Sequence, residues 1–374
     1  MRFDSLDKYV DSLSLAGIPA CELIITHKGT PVYHKCAGYS DSKGTVKASE
    51  RDLYWLFSAT KVVTCIAAIR LVEEGKISLD DPVSKYIPEY ADITVKSEGG
   101  VITPAKEPMR IVHLFTMTGG MTYDKDPEGL ELCTDLSTLG VIRAMAKHPL
   151  IFEPGTRYCY SLCHDVLAGV IEVASGMSFG EYLRKNIFDP LGIVDMGFFP
   201  TEEQKKRFSD MYTYKAIEGK SISKPISNSF IITPEYESGG AGLFGSASEY
   251  IKIISAISLG GTAQNGYRLL GEESVKMMQK NYLCDEALKD FCQPKNLGYG
   301  WGLCGRVHMN PTLSHSLSPV GEFGWDGACG AYVMIDPENQ LSIFYVQQVG
   351  SCSYAYFRAH PTIRDLAYKE ILGK

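Results

Sequence analysis

The order of strand-like and helical patterns along this chain restricts the folds that it can adopt. Residues 20–27 and 31–37 have the pattern of two strands joined by Lys28-Gly29-Thr30, a hairpin signal. Apolar residues recur at helical spacing in four later segments, residues 109–118, 136–147, 164–174 and 178–187. Strand patterns return at residues 298–304, 330–335 and 341–346. We therefore expect the two ends of the chain to share one antiparallel sheet.

This order predicts an α/β fold, an antiparallel sheet flanked by helices, with an all-helical domain inserted in its sequence. Residues 1–81 and 246–374 would form the discontinuous α/β sheet domain, and residues 82–245 the mostly helical domain, with the active site between them. Helical patterns at residues 6–16 and 362–372 belong to the sheet domain. A chain of 374 residues is long enough to bury a substantial core in this arrangement.

The charge and hydropathy of the chain argue against several classes of partner. The formal net charge is −7 and there is no basic stripe, so we expect neither nucleic acid nor an anionic membrane as a partner. No stretch approaches the roughly 20 apolar residues that span a bilayer, and the N-terminus has the pattern of an amphipathic helix and not of a secretory signal. We expect a cytoplasmic protein, and the sequence leaves its oligomeric state open.

Cysteine and histidine usage favours neither disulfides nor a metal. The eleven cysteines form no CxxC pair, which favours reduced thiols in a reducing compartment. The eight histidines show no HExxH or paired metal spacing. We therefore expect no metal site and no other cofactor.

The tetrapeptide S-x-x-K occurs four times, beginning at Ser5, Ser40, Ser58 and Ser221. Only Ser58 opens an apolar helix, which we expect to run to about residue 74. The other three lie among polar, charged or proline-containing neighbours, and we interpret them as surface residues. At a spacing of three, Ser58 and Lys61 share one helix face. A desolvated lysine can take the proton of a serine hydroxyl, so we expect Ser58 as nucleophile and Lys61 as a base.

A second serine motif, G-x-S-x-G at residues 176–180, fits the nucleophile elbow of α/β-hydrolases. That elbow needs a buried strand immediately before it, whereas residues 166–174 have the pattern of an amphipathic helix. We interpret Gly176 as the end of that helix, and Ser178 with Glu181 as a capping box for the next one.

Two further segments supply groups that a serine nucleophile needs. Pro154-Gly155 form a turn before a tyrosine-rich segment, in which Tyr160 is a candidate to shuttle a proton. Residues 323–332 are rich in small residues, which allow a substrate carbonyl to approach the backbone closely. A backbone N–H there, with that of Ser58, would form an oxyanion hole. Either segment taken alone is more often structural, as a packed tyrosine or a glycine-rich turn.

Taken in order, these motifs resemble the serine β-lactamase-like superfamily, particularly class C β-lactamases, DD-peptidases and the esterases that share their fold. Ser58 and Lys61 match its S-x-x-K element, and four more segments are similar to family motifs, residues 79–88, 110–121, 154–161 and 239–246. The resemblance spans about residues 20–350. It implies a β-lactamase/transpeptidase-like fold, Tyr160 as the catalytic tyrosine and the Ala328 N–H as part of the oxyanion hole. Tyr123 is a further candidate for substrate binding.

Departures from the family pattern indicate which branch the chain resembles. The tyrosine motif usually ends in an asparagine that binds the amide of β-lactam and peptide substrates, and here Leu162 takes its place. The late Lys-Thr-Gly motif is replaced by Trp325-Asp326-Gly327, which resembles the esterase branch. Tryptophan lacks the charge that lysine offers to the tyrosine and to a substrate carboxylate. Asp326 would either repel an anionic substrate from the cleft or cap a local turn. The expected substrate-binding residues, besides Tyr123, are therefore Leu162, Trp325, Asp326 and Gly327.

We therefore expect a serine hydrolase that cleaves small carboxylic esters through an acyl-enzyme. Ser58 would attack the ester, Lys61 and Tyr160 would move its proton, and the N–H groups of Ser58 and Ala328 would bind the oxyanion. The alternatives are an acyltransferase with the same intermediate, a β-lactamase or D-amino-acid peptidase, and a binding protein on an inactive hydrolase fold. The intact serine, lysine and tyrosine argue against the last of these. The expected partner is a small-molecule ester or acyl substrate.

Overall fold

The computed structural model describes residues 3–123 and 134–374, in which both ends of the chain contribute to one seven-stranded sheet. The strands in chain order are β1 (Ala20–His27), β2 (Thr30–Gly38), β3 (Tyr54–Trp55), β4 (Thr94–Lys96), β5 (Ile102–Pro104), β6 (Met211–Lys215), β7 (Lys220–Lys224), β8 (Phe244–Gly245), β9 (Tyr299–Gly302), β10 (Gly305–His308), β11 (Phe323–Gly324), β12 (Tyr332–Asp336), β13 (Leu341–Val346) and β14 (Val349–Gly350). The main sheet has the order β2-β1-β13-β12-β11-β10-β9, and every neighbouring pair is antiparallel. The predicted α/β fold class is confirmed.

Helices surround this sheet and fill the middle of the chain. Within the two described ranges they are α1 (Asp4–Ser12), α2 (Thr60–Glu73), α3 (Ile111–Phe115), α4 (Thr138–Met145), α5 (Cys163–Ser175), α6 (Phe179–Leu183), α7 (Glu202–Lys205), α8 (Ala247–Ser258), α9 (Glu272–Met278), α10 (Asp285–Phe291), α11 (Pro311–Ser314) and α12 (His360–Leu372). The sequence patterns predicted α4, α5 and α12 to within two residues at each end, but they missed α8.

The two faces of the sheet belong to different apolar clusters, because successive side chains of a strand point to opposite faces. Leu23 and Ile25 of β1 lie in a cluster with residues of the terminal helices α1 and α12. Ile24 lies in the larger cluster, with residues of α2 and α8. Tyr250 of α8 stacks on Phe344 of β13, with ring centroids 4.2 Å apart. The sheet is therefore covered on both faces.

Helix α2 passes through the core, with eleven of its fourteen residues buried. A helix that is apolar on all sides belongs inside a protein and not at its surface. The hydroxyl of Tyr250 in α8 donates a hydrogen bond of 2.8 Å to the carbonyl of Ala59. This contact fixes the N-terminal end of α2 against the layer that covers the sheet.

Several elements differ from the sequence predictions, for local reasons. The strand expected at residues 298–304 is a hairpin of β9 and β10, and Gly305 begins β10 with a φ of +122°. The helix expected at residues 109–118 is limited to α3, because Met117 adopts a left-handed φ of +57°. Strands β6 and β7 pair within the segment that was expected to be mostly helical. The domain boundaries at residues 82 and 245 stay a prediction.

The serine of the G-x-S-x-G motif is a helix cap. Helix α5 ends before Gly176, which has a φ of +70°. The Glu181 N–H donates to Ser178 Oγ over 3.3 Å, and Glu181 Oε2 accepts from the Ser178 N–H over 3.1 Å. The capping-box interpretation is therefore confirmed.

In residues 3–123 and 134–374, no single helix combines the length and apolar character needed to cross a membrane. Two consecutive helical segments, Cys163–Ser175 and Phe179–Leu191, together have the required length and apolar composition. The chain bends by 74° between them.

Candidate active site

Ser58 lies in a single 3-10 turn, Phe57–Ala59, directly before α2. The residue before it, Phe57, has a φ of +47°, a conformation that is strained for a side chain with a β-carbon. The Phe57 ring packs against Phe230, with centroids 6.3 Å apart. Strained backbone of this kind is found more often at functional sites than elsewhere. Ser58 is 7 % exposed, and it lies one helical turn before Lys61.

The Lys61 side chain is buried, at 1 % exposure, and its Nζ has three polar neighbours. Nζ donates to the Gly240 carbonyl over 2.7 Å and to Tyr123 Oη over 2.9 Å, and it lies 3.4 Å from Ser58 Oγ. It also lies 4.7 Å from the centroid of the Tyr160 ring. A neutral amine has two N–H groups, so Gly240 and Tyr123 can accept both and leave the nitrogen lone pair for the Ser58 proton. The arrangement thus suits proton transfer from Ser58 to Lys61.

A buried carboxylate holds the loop that contacts Lys61. Asp165 Oδ1 accepts hydrogen bonds from Ser238 Oγ over 2.6 Å, from Tyr236 Oη over 2.7 Å and from the Gly240 N–H over 3.3 Å. A Cβ added to Gly240 would lie 2.3 Å from Asp165 Oδ2 and 3.3 Å from Lys61 Nζ, so a side chain here would displace the lysine or the carboxylate. The sequence reasoning missed Asp165, whose signal is the single carboxylate in the first turn of a largely apolar helix.

Trp325 contacts and supports Tyr160. The sequence analysis expected no such support, because tryptophan lacks the charge of the lysine found in the family pattern. Its indole N–H donates a hydrogen bond of 2.8 Å to Tyr160 Oη, and the two rings lie 5.4 Å apart. A hydrogen bond donated to this oxygen stabilises negative charge that develops on it. Trp301, also missed, packs against the Trp325 ring at 4.4 Å and donates its own N–H to the Phe115 carbonyl over 2.9 Å. The indole that supports Tyr160 is therefore itself held in place.

Tyr123 lies beside the amine of Lys61, next to the tyrosine that was expected to move the proton. Its ring centroid lies 5.5 Å from that of Tyr160. Burial, and next the neighbouring Tyr160, raise the pKa of Tyr123 well above its ordinary value. Tyr123 therefore stays neutral near pH 7 and serves as a hydrogen-bonding partner of Lys61.

The small residues after Trp325 approach the chain just before Ser58. A Cβ added to Gly327 would lie 2.6 Å from the Leu56 carbonyl oxygen, closer than real side chains come. The carbonyl of Gly327 accepts a hydrogen bond of 2.7 Å from Tyr356 Oη. The next residue, Ala328, is exposed. This close approach is what an oxyanion hole between Ser58 and Ala328 needs, and the hole itself stays a prediction.

Asp326 does not present a free carboxylate to the site. Its Oδ1 lies 3.1 Å from Arg306 Nη1 and 3.6 Å from His360 Nδ1. Burial alone would raise the pKa of Asp326, but Arg306 and His360 hold it well below its ordinary range. Neighbouring residues of extended backbone point in opposite directions, so Trp325 meets Tyr160 while Asp326 meets Arg306. Of the two alternatives for Asp326, repulsion of an anionic substrate therefore lacks support, because the carboxylate is paired with Arg306.

Leu162 belongs to the buried core. It precedes α5, is 5 % exposed and lines a cavity of about 40 Å³ together with Tyr90, Met121 and Leu150. Its side chain therefore packs into the core of the helical segment. A substrate-binding role for Leu162 stays a prediction.

Comparisons with known proteins give similarities over most of this chain. A family model described as Beta-lactamase matches residues 6–351. Esterase EstB from Burkholderia gladioli is 27% identical over 348 residues, covering 86% of this chain and 83% of EstB. Acyltransferase calJ from Penicillium decumbens is 26% identical over 359 residues, covering 87% of this chain and 83% of calJ. The solved structure of EstCE1, described as a hydrolase with promiscuous acyltransferase activity, matches with a TM-score of 0.81 at 22% identity, covering 98% of this chain and 99% of that chain. This last similarity shows the fold alone.

Proposed function

Because this chain belongs to the beta-lactamase family, we propose that it is a serine hydrolase that cleaves small carboxylic esters through an acyl-enzyme. The observation that carries the proposal is the buried amine of Lys61, 3.4 Å from Ser58 Oγ and held there by the Gly240 carbonyl and Tyr123. A serine hydroxyl becomes an effective nucleophile only when a neighbouring base takes its proton, and this contact supplies that base.

Acylation follows from these contacts. Ser58 Oγ attacks the ester carbonyl carbon, and its proton passes to Lys61 Nζ. The N–H groups of Ser58 and Ala328 donate hydrogen bonds to the carbonyl oxygen and so stabilise the negative charge that develops on it. The C–O bond to the alcohol then breaks, and the alcohol leaves with a proton delivered through Lys61 and Tyr160. We assign these proton transfers to the two groups together, because Lys61 Nζ lies 4.7 Å from the centroid of the Tyr160 ring.

Deacylation uses the same groups in reverse. A water molecule gives one proton to Lys61 and Tyr160 while its oxygen attacks the acyl carbon. The bond to Ser58 Oγ then breaks, Oγ regains its proton, and the carboxylic acid leaves. In this step an alcohol acceptor can replace water, and acyl transfer would result. The similarity to calJ makes acyl transfer the second candidate function.

The surroundings of Ser58 favour an uncharged substrate. Aromatic rings line the contacts around Lys61 and Tyr160, namely Tyr123, Phe230, Trp301 and Trp325. Tryptophan also stands at the position where the family pattern has a lysine for a substrate carboxylate. A polar substrate group that lacks its partner costs about 1–3 kcal/mol, or about one to two decades in rate. Small apolar esters avoid this cost, whereas β-lactams and D-amino-acid peptides do not.

Covalent labelling tests the nucleophile. A fluorophosphonate should label wild-type protein once, on the peptide that contains Ser58, because it forms a stable ester with an activated serine. Ser58→Ala should lose the label, and Ser178→Ala is the matched control that should keep it. Labelling retained in Ser58→Ala would remove Ser58 from the mechanism.

Steady-state kinetics test the substrate class on the same preparation. We expect kcat/KM for p-nitrophenyl butyrate to exceed that for nitrocefin by at least about tenfold, for the reason given above. Nitrocefin turnover equal to or faster than ester turnover would overturn the esterase assignment and favour a β-lactamase. Adding a primary alcohol and measuring the ester formed from it separates hydrolysis from acyl transfer.

A further inference from the structure

Three side chains that carry metal-ligating atoms and that the proposed mechanism does not use meet at the β1–β2 edge of the main sheet. Glu22 of β1 and Cys36 of β2 are direct cross-strand partners, and His34 lies two residues before Cys36 on the same face. The carboxylate oxygen, ring nitrogen and sulfur lie within 4.8 Å of one another. His34 Nε2 lies 2.8 Å from Glu22 Oε1 and 4.0 Å from Cys36 Sγ.

These spacings are close to those around a tetrahedral zinc ion. Bonds of about 2.0–2.1 Å to nitrogen and oxygen and about 2.3 Å to sulfur separate the ligand atoms by roughly 3.3 Å for N···O and roughly 3.6 Å for N···S. The observed distances of 2.8 Å and 4.0 Å differ from these by about half an ångström. Small side-chain rotations therefore suffice to admit a metal ion among the three atoms.

The partners of two of these ligands are those expected around a metal site. The second oxygen of Glu22 accepts a hydrogen bond of 3.1 Å from Tyr54 Oη. The other ring nitrogen of His34 lies 4.0 Å from Glu50 Oε2. Metal-binding histidines commonly donate the second ring N–H to a carboxylate, and Glu50 lies just beyond the distance of such a hydrogen bond. Glu22 is fully buried, whereas the His34 side chain is 30 % exposed and offers a path for entry from solvent.

We propose that Glu22, His34 and Cys36 bind one zinc-type divalent cation, with water as the fourth ligand. The thiol of Cys36 binds as thiolate and its proton passes to solvent, while neutral His34 binds through Nε2 and Glu22 through one carboxylate oxygen. Mixed sulfur and nitrogen ligands select zinc over magnesium or calcium, which prefer oxygen. The search for sequence motifs did not find this cluster, because Glu22 is distant from His34 and Cys36 in sequence. The pairing of β1 with β2 brings the three residues together.

A bound ion would cross-link β1 to β2, an edge strand of the main sheet. Through Glu22 it would also fix Tyr54, which stands four residues before Ser58 in sequence. Ligands that bind only the folded state raise its stability. We therefore expect zinc to increase the melting temperature of the full chain.

Cobalt(II) reports this site directly, because cobalt bound to a thiolate gives a near-ultraviolet charge-transfer band. The full chain is stripped with a chelator, titrated with cobalt, and the zinc affinity is measured by competition. Cys36→Ser is the principal variant, since the residue is half-buried and near the surface. Cys284→Ser is the matched control, an exposed thiol whose nearest partners are the carbonyls of Gly155 and Thr156 at 3.7 Å.

The proposal expects one equivalent of cobalt with a charge-transfer band in wild type and in Cys284→Ser. Cys36→Ser should lose the band and bind zinc at least about tenfold more weakly. His34→Gln should weaken zinc binding similarly, while circular dichroism shows both variants folded. A wild-type chain without the band, or a band that survives in Cys36→Ser, would overturn the proposal.

Discussion

The indole N–H of Trp325 donates a hydrogen bond of 2.8 Å to the hydroxyl oxygen of Tyr160, although 165 positions separate the two residues. An uncharged donor therefore supports the tyrosine at the position where the family pattern has a lysine. Lys61 lies on the face of the same tyrosine ring, 4.7 Å from its centroid. Tyr160 is thus placed between a hydrogen-bond donor at its oxygen and an amine over its ring.

Trp325→Phe should lower kcat for p-nitrophenyl butyrate by about one to two decades. Phenylalanine keeps an aromatic ring but removes the N–H, and a hydrogen bond to a charged group contributes about 1.5–3 kcal/mol. A double-mutant cycle with Tyr160→Phe isolates the interaction. In the Tyr160→Phe background the Trp325 substitution should have little further effect. Equal effects in both backgrounds would show that Trp325 acts independently of Tyr160.

Lys61→Arg should be nearly as inactive as Lys61→Ala, with kcat/KM lowered by several orders of magnitude. Arginine keeps a positive charge but cannot act as a base near neutral pH. Steady-state ester hydrolysis, with thermal unfolding as the folding check, measures both variants. An arginine variant with substantial activity would mean that residue 61 supplies only charge and that Tyr160 is the sole base.

Tyr123→Phe should lower kcat about tenfold, since it removes one of the acceptors that hold the amine of Lys61. The raised pKa of Tyr123 means that its neutral form persists to higher pH than for an ordinary tyrosine. The pH–rate profile between pH 6 and 9 should therefore keep its shape in this variant. A shifted alkaline limb would instead make Tyr123 one of the groups that exchange protons during turnover.

His113→Gln should make folding less sensitive to acid. Burial, and then the nearby Arg110, lower the pKa of His113 from 6.5 to about 4. Between those values the unfolded chain binds more protons than the folded one, so the native histidine reduces stability as the pH falls. Glutamine can still accept the Arg110 N–H, as His113 Nδ1 does over 3.1 Å.

Urea unfolding at several pH values between 4.5 and 6.5 measures this change. The slope of the unfolding free energy against pH should fall in His113→Gln, by at most about 1.4 kcal/mol per pH unit and most strongly near pH 5. An identical slope in wild type and variant would show that His113 takes up its proton in the folded state as readily as in the unfolded chain.

The sequence by itself determined the features that depend on neighbouring residues. The S-x-x-K spacing placed Ser58 and Lys61 one turn apart, because helix geometry depends on local hydrogen bonds. The capping box at Ser178 also follows from residues three apart. The order of strand and helix patterns indicated the antiparallel sheet, since strands that are buried on both faces appear in the sequence as short apolar runs.

Only the tertiary structure decided which distant groups meet at Lys61. The Gly240 carbonyl reaches its amine from 179 positions away, and Trp325 reaches Tyr160 across a similar distance. Asp326, adjacent in sequence to Trp325, turns instead to Arg306. No local pattern encodes these choices, because they depend on how the sheet and helices pack and on which face of the backbone each side chain occupies.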